Sequence, residues 1–291
     1  MFKEKLEQLF EYVAKHIPSE HIMTAKLEYQ KSTGEIYEDD KSYNTRMALF
    51  LEWYLLDQYN PNTKKTNLEN IISGNPSAWD ESRMKIYTDI SKNINSLFEV
   101  KKIRQYSVAV LDLFAGKKYQ VDEEDSILAF RKNDIFQGRI VPHGDKFYFT
   151  GNFCFHPKKT EGYIKNEIKI ICQIQSTWNT ELKKLEKNLL KTQNSRSKNT
   201  NPIEKTKARI KQLDTGAKRD VLIKELSILE QDLAEIDANI RLIESEISHI
   251  KIEKIKIDGR RMISNLANKL AYMNLKWERS RQIEITDIYK N

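Results

Sequence analysis

The chain has 291 residues, of which 31% are charged and 39% hydrophobic, with only 9 Gly and 6 Pro. That length suits about two domains of roughly 150 residues each, and an aromatic share of 10% supports a packed core and excludes a disordered chain. No apolar run approaches the ~20 residues a membrane span needs, and the net charge of +7 is concentrated rather than spread.

Residues 183–219 hold 12 Lys/Arg against three acids, Glu186, Glu204 and Asp214, whereas 220–248 hold Lys224 and Arg241 against eight acids. A local patch of this kind can steer a partner to one place, which a diffuse excess cannot. The start, Met1-Phe2-Lys3-Glu4-Lys5-Leu6, mixes charges into an amphipathic pattern without the apolar core of a signal peptide, which predicts a cytoplasmic protein. Cys154 and Cys172 lie in different predicted elements, and the expectation is two free thiols in a reducing compartment.

In chain order, Phe2, Leu6, Leu9, Phe10 and Val13 share one helical face. The polar stretch 30–44, with Gly34 and Glu38-Asp39-Asp40, predicts an exposed loop. Met47, Phe50, Leu51, Tyr54 and Leu55 then repeat at helical spacing, and Pro61 closes that element. Thr66 and Glu69 have capping-box spacing ahead of Leu68, Ile71 and Ile72, so a short helix starts there. Gly74 and Pro76 break the chain. Trp79, Arg83, Tyr87, Ile90, Ile94 and Leu97 trace another helix, with Ser77 as its N-cap, and residues 1–98 read as a helical domain.

The pattern changes near residue 99. Val108 and Val110 alternate with Ser107 and Ala109, and Gly116-Lys117-Lys118 has turn chemistry. Tyr119–Val121, Ile127–Phe130, Phe136–Val141, Lys146–Thr150 and Phe153–His156 complete about six short strands, separated by the acidic turn 122–125 and by Pro142-His143-Gly144-Asp145. So many strands at close spacing predict a small antiparallel β barrel or roll of SH3-like or OB-like size over 99–157. Phe136, Phe147, Tyr148, Phe149, Phe153 and Phe155 have the spacing of its core rather than of a base-stacking platform.

Helix returns near 160, where Ile164, Ile168, Ile171, Trp178, Leu182, Leu185 and Leu189 fit a heptad frame interrupted by Gln175. Thr192–Pro202 has no apolar residue and predicts a loop. Ile203, Ile210 and Leu213 open a second helix, in which Thr215-Gly216 is either a turn or part of a continuous run. Leu222, Leu226, Leu229, Leu233, Ile236, Ile240, Ile243, Ile247 and Ile250 then alternate in steps of four and three without a miss. That averages 3.5 residues, the repeat that keeps one seam facing a partner helix along a supercoil. Asp258-Gly259 is the expected stop. Ile263, Leu266, Leu270, Met273 and Trp277 form a last helix, and Ile285–Asn291 a tail.

The architecture expected is therefore α+β multidomain: a helical domain (1–98), a small β domain (99–157), an antiparallel coiled-coil hairpin with a basic tip (158–257), and a C-terminal helix and tail (258–291). The seam can be filled by the 160–190 segment of the same chain or by a second copy, giving a monomer with an intramolecular hairpin or a homodimer. Lys191, Arg196, Lys198, Lys205, Lys207, Arg209 and Lys211 would cluster at the tip, where phosphates or an acidic protein surface could meet them.

No GxxxxGK[ST], GxGxxG, GxSxG or HExxH is present, and His156 beside Cys154 lacks the further ligands a metal needs. The sequence predicts no enzyme, cofactor or metal site. Three stretches, Leu51-Glu52-Trp53-Tyr54-Leu55-Leu56-Asp57, Gly151-Asn152-Phe153-Cys154-Phe155-His156-Pro157, and Leu266 through Lys276-Trp277-Glu278-Arg279 to Asp287-Ile288-Tyr289, resemble an uncharacterised family of bacterial proteins. The resemblance implies a bacterial cytoplasmic origin and assigns no residue a role. The function expected is a non-enzymatic adaptor or scaffold that engages a protein partner through the coiled coil and its basic tip. The alternative is an RNA- or DNA-associated factor that contacts phosphates with that tip.

Overall fold

The apolar spacing at the N-terminus forms its helix as expected: α1 (Phe2–His16) buries Leu6, Leu9 and Val13 along one face. The computed structural model describes residues 2–74, 79–123, 127–280 and 282–290, and the side chains of Phe2, Lys3 and Leu128 are not among those described. The chain divides into two units, Met1–Gln173 with Ile257–Asn291, and Ile174–Lys256.

In the first unit, α2 (Ser19–Thr33) follows α1 without a sequence signal, because it buries only Ala25, Tyr29 and Thr33. Its end is set by Gly34 at φ +74°, so the exposed loop begins there. A Cβ on Gly34 would lie 2.7 Å from Cδ2 of Tyr272, so this position needs both the left-handed backbone and the missing side chain. Helix α3 (Tyr43–Leu56) buries Phe50, Tyr54 and Leu55 as the spacing requires. Helix α4 (Asn67–Ser73) opens on the expected capping box: Glu69 N donates to Thr66 Oγ1 at 3.2 Å and Thr66 N to Glu69 Oε2 at 2.7 Å. Helix α5 (Glu81–Ser91) is capped by Asp80, which accepts from Arg83 N at 2.7 Å. Ser77 and Pro76 lie outside the described residues.

The helix expected over 79–97 ends at Ser91, and Ile94 and Leu97 belong instead to strand β1 (Ile94–Arg104). The boundary placed at 98 therefore cuts a strand. Both faces of β1 are covered: Ile94 and Phe98 join the barrel interior, while Leu97 packs against the helices outside. A strand buried on both faces loses the alternation that marks strands, and its apolar residues then match a helical period equally well.

Five further strands follow: β2 (Ser107–Asp112), β3 (Lys118–Asp122), β4 (Ile135–His143), β5 (Lys146–Phe149) and β6 (Cys154–His156). Their order is β1-β2-β3-β5-β4, and β4 pairs back with β1, so five strands close into a barrel; β6 adds to the edge of β4 beyond β5. All these pairs are antiparallel except β3 with β5. An irregularity between Val100 and Lys102 bends β1 so that it can pair on both sides. Ile127–Ala129, expected as a strand, is a 3-10 turn. It delivers Phe130 to the interior among Phe136, Phe149, Phe153 and Phe155, which bear out the core reading of the phenylalanines, whereas Tyr148, expected with them, packs outward against the N-terminal helices.

Period 2 turns the alternate β4 residues outward, and the helices cover them. Val141 meets α1–α5, and Ile135 meets a layer formed by the start of α6 (Glu161–Lys211), α8 (Gly259–Ser280) and α9 (Ile285–Ile288). The expected C-terminal tail is thus part of the core. Ile285 and Tyr289 are buried, and the Tyr289 hydroxyl donates to the Leu270 carbonyl at 3.2 Å. Trp277 leaves the apolar face of α8 at 38% exposure, and Leu275 takes the buried place.

The second unit contains the largest departure. Thr192–Pro202 is not a loop; α6 runs unbroken from Glu161 to Lys211 with Pro202 inside it. Polar side chains in this stretch bond back to the preceding turn: Thr192 to Asn188 O, Ser197 to Gln193 O, Asn199 to Ser195 O and Thr200 to Arg196 O, at 2.9–3.1 Å. Such back-bonding satisfies the polar side chains but does not itself favour the helix; what this stretch keeps is a half-buried face, at Thr192, Asn199 and Thr200. Thr192, Asn199, Ile203, Thr206 and Ile210 are buried or half-buried, and with the exposed Arg196 they carry the three–four step of the first heptads through to the end of α6. The helix is interrupted at 212–216, with Gly216 before α7 (Ala217–His249), so Thr215-Gly216 breaks the run.

All nine expected seam positions from Leu222 to Ile250 are buried or half-buried. Ion pairs join Lys207 to Glu230 (2.7 Å), Arg196 to Asp237 (2.5 Å), Glu186 to Lys251 (2.8 Å) and Glu181 to Lys254 (3.6 Å). Asp258-Gly259 does not stop the helix. Ile250–Asp258 is π-helical and passes directly into α8, where Gly259 is buried. No helix among the described residues is long and apolar enough to cross a membrane.

Candidate functional site

The densest polar constellation lies on the outward face of β4, where Arg139 points away from the barrel interior and is 4% exposed. Helix α3 brings two acids to it. Arg139 Nε donates to Glu52 Oε2 at 3.0 Å, and Nη1 donates to Asp57 Oδ1 at 3.1 Å and to Asn93 Oδ1 at 2.8 Å; Nη2 also pairs with Asp57. Asn152 Nδ2 donates to Glu52 Oε1 at 2.8 Å, while Asn95 Nδ2 and Ser264 Oγ each donate to Asp57 Oδ2 at 3.1 Å. Arg260, one helical turn before Ser264 on α8, lies 3.6 Å from Asp57.

Burial pushes both carboxyls up, and the Arg139 guanidinium opposes it. The opposition prevails at Asp57, which sits below the ordinary carboxylate range, and only partly offsets burial at Glu52, which stays above it. Two acids facing one buried and one half-buried guanidinium make a neutral, hydrogen-bonded knot. It joins α3, the barrel and α8, and such a buried ionic group specifies one packing rather than adding much net stability. Glu52, Asp57 and Asn152 fall in two of the three stretches singled out in the sequence.

A groove of about 900 Å³ lies between the 39–45 segment and the end of α8, walled by Asp39, Lys41, Thr45, Trp277 and Glu278. A cavity of about 260 Å³ shares Ser42, Thr45, Leu275 and Glu278 with it and reaches Phe153 and Cys154. The two arginines here are committed to structure. Arg279 chelates Asp40 (3.1 and 2.6 Å), and Arg46 donates to the carbonyls of Thr33, Gly34 and Glu35 as well as to Asp40. The hydrogen bond from Arg279 holds the Asp40 carboxyl below its usual range. Burial pushes the Cys154 thiol up to about 12, so it stays protonated and is a poor nucleophile at neutral pH. Cys154 and Cys172 are both free. Burial also pushes the His156 imidazole down to about 4. Among the described residues no group of three or more His, Cys, Asp or Glu is placed to hold a metal ion.

The seven basic residues expected at a tip are not gathered on a loop. Lys191, Arg196 and Lys198 sit along the body of α6, and only Lys205, Lys207, Arg209 and Lys211 lie in its last two turns. Arg196 and Lys207 are engaged by Asp237 and Glu230. Lys191, Lys198, Lys205, Arg209 and Lys211 are exposed, and none of them forms an ion pair among the described residues.

Residues 2–199 match a family of unknown function (DUF7986). The chain belongs to this family. No curated protein and no solved structure matches it. The matched span takes in the N-terminal helices, the barrel and most of α6, and with them Glu52, Asp57, Arg139 and Asn152.

Sequence reasoning missed the knot around Arg139. The available signal was two acids, Glu52 and Asp57, within and just after the apolar run Met47–Leu56, together with Arg139 between Phe136 and Ile140. A charge placed in an apolar run requires a buried partner. It also missed that lysines seven residues apart, at 184, 191, 198 and 205, share a helical face. That signal was legible only once 192–202 was known to be helix.

Proposed function

We propose that the protein is a non-enzymatic adaptor of bacterial, cytoplasmic origin. In this reading α6 and α7 close an antiparallel coiled-coil hairpin within one chain, and a partner is engaged by the outward faces of that hairpin. The observation that carries the reading is the set of four ion pairs between the arms. As the residue number on α6 rises through 181, 186, 196 and 207, its partner's falls through 254, 251, 237 and 230. Antiparallel arms require that order. The unbroken burial of the seam supports the same pairing.

A seam consumed by its own chain is not free to recruit a second helix, which moves recognition to the surface. We read the barrel as OB-type rather than SH3-like, on its five-strand closure with one extra edge strand. Its clustered phenylalanines are spent on its own interior and so are no stacking platform of the kind single strands need.

Light scattering across a wide concentration range tests the closure: one chain of 34.3 kDa is expected throughout, and a two-chain mass that survives dilution would overturn it. Photo-crosslinkers placed in the intact chain in cells test the recognition. Adducts to another macromolecule are expected from outward positions 187 and 198. Adducts to a second copy from seam position 182, with none from outward positions, would refute the reading.

A further inference from the structure

The continuity of α6 brings together residues that the sequence leaves apart. Lys184, Lys187, Lys191, Lys198, Lys205 and Arg209 are all exposed. At ~100° per residue they fall within roughly 60° of arc on the helix, centred about 120° from the buried seam. At ~1.5 Å per residue the stripe is about 38 Å long. The acids of this stretch, Glu186 and Glu204, lie on the far flank, and Glu186 is paired with Lys251. Arg196 and Lys207, which are paired, lie toward the seam rather than on the stripe. The helix therefore separates its cations into a group that holds α7 and a group facing solvent with no acid of α6 beside it.

We propose that this stripe binds the phosphate backbone of double-stranded DNA without regard to sequence. The inference rests on the reading that recognition uses the outward face of the hairpin, and it names the partner. A rigid rod of cations about 38 Å long matches one turn of B-form duplex, roughly 34–36 Å, and lysine ammonium groups need only charge to meet phosphates. Single strands want interleaved aromatic rings. The stripe has none, and Trp178, the one ring on α6 beyond Tyr163, is half-buried at a seam position. A membrane surface wants apolar anchors beside the cations, whereas the gaps in the stripe are filled by Asn194, Ser195 and Pro202.

The test uses the intact chain and a fluorescent 30-base-pair duplex of mixed sequence. With about five phosphates neutralised, affinity should fall by roughly five-hundredfold between 50 and 200 mM salt. The variant K191E/K198E/K205E should lose at least thirtyfold in affinity and flatten the salt slope by about 2.7, the share of three phosphate contacts. A control with the same change in net charge, K85E/K132E/K158E, alters exposed lysines elsewhere and should stay within threefold of the parent. Circular dichroism confirms that each variant remains helical.

Equal losses in the two variants would overturn the proposal. So would tighter binding to single strands or to duplex RNA, or retention on anionic vesicles with duplex DNA left unbound. A two-chain mass with binding that still tracks the stripe would refute the intramolecular closure and leave this inference standing. A one-chain mass without binding would do the reverse.

Discussion

Replacing Arg139 by Met removes the only fully buried cation among the described residues and leaves Glu52 and Asp57 facing each other's field. Glu52 is 0% and Asp57 6% exposed, so water cannot take over the solvation that the guanidinium supplied. Breaking a buried pair by deleting one partner costs about 3–5 kcal/mol, because an uncompensated charge stays behind. Arg260, half-buried and 3.6 Å from Asp57, offsets only part of the loss. Against a total stability of roughly 5–15 kcal/mol, such a loss is a large fraction.

Urea unfolding followed by tryptophan fluorescence reads it, since Trp53 and Trp79 belong to this unit. The sign of the pH dependence is also determined. Without Arg139 the folded pKa of Glu52, already raised by burial, rises further. The deficit is then largest when pH is well above that value and shrinks as the acid is protonated, so the gap to the parent should narrow from pH 8 to pH 5. The variant E52Q/D57N/R139M, which removes all three charges together, should recover much of the loss. A deficit below about 1 kcal/mol for R139M, or one that widens in acid, would refute this account of the knot.

His156 gives a second handle on pH. Its imidazole is buried and neutral in the fold, with a pKa of about 4 against 6.5 when free. The unfolded chain therefore binds the proton first as pH falls. The contribution is complete above pH 6.5 and drains away toward pH 4, by about 2–3 kcal/mol at pH 4.5. The difference in urea midpoint between His156→Gln and the parent should shift in the variant's favour by that amount between pH 7 and pH 4.5. A pH-independent difference would show that His156 is not buried neutral. Gly34→Ala should cost about 2–4 kcal/mol, combining a side chain at φ +74° with overlap on the Tyr272 ring. The double variant with Tyr272→Ala should recover the overlap share but not the backbone share; a Gly34→Ala variant as stable as the parent would remove the stated need for glycine.

Local chemistry was legible wherever one residue pattern decided one element. The Thr66–Glu69 box, the buried face of α1, the phenylalanine core of the barrel and the nine buried or half-buried positions along α7 and Ile250 could all be read directly, because capping bonds and periodic burial are short-range or strictly repeating. What could not be read depended on partners distant in the chain. Strand β1 looked helical because both its faces are covered. The Arg139 knot gathers residues from positions 52 to 264, and no local pattern announces a hydrogen bond across 207 residues. The polar stretch 192–202 has the composition of a loop, yet it is helix, with Thr192 and Asn199 half-buried and Arg196 paired to Asp237 on α7. That one tertiary decision moves the break in the helix to Thr215-Gly216 and turns a scattered set of lysines into a stripe. Sequence determines which residues carry charge and which are apolar; the packing of distant elements decides which charges are sealed, which are paired and which remain free to meet a partner.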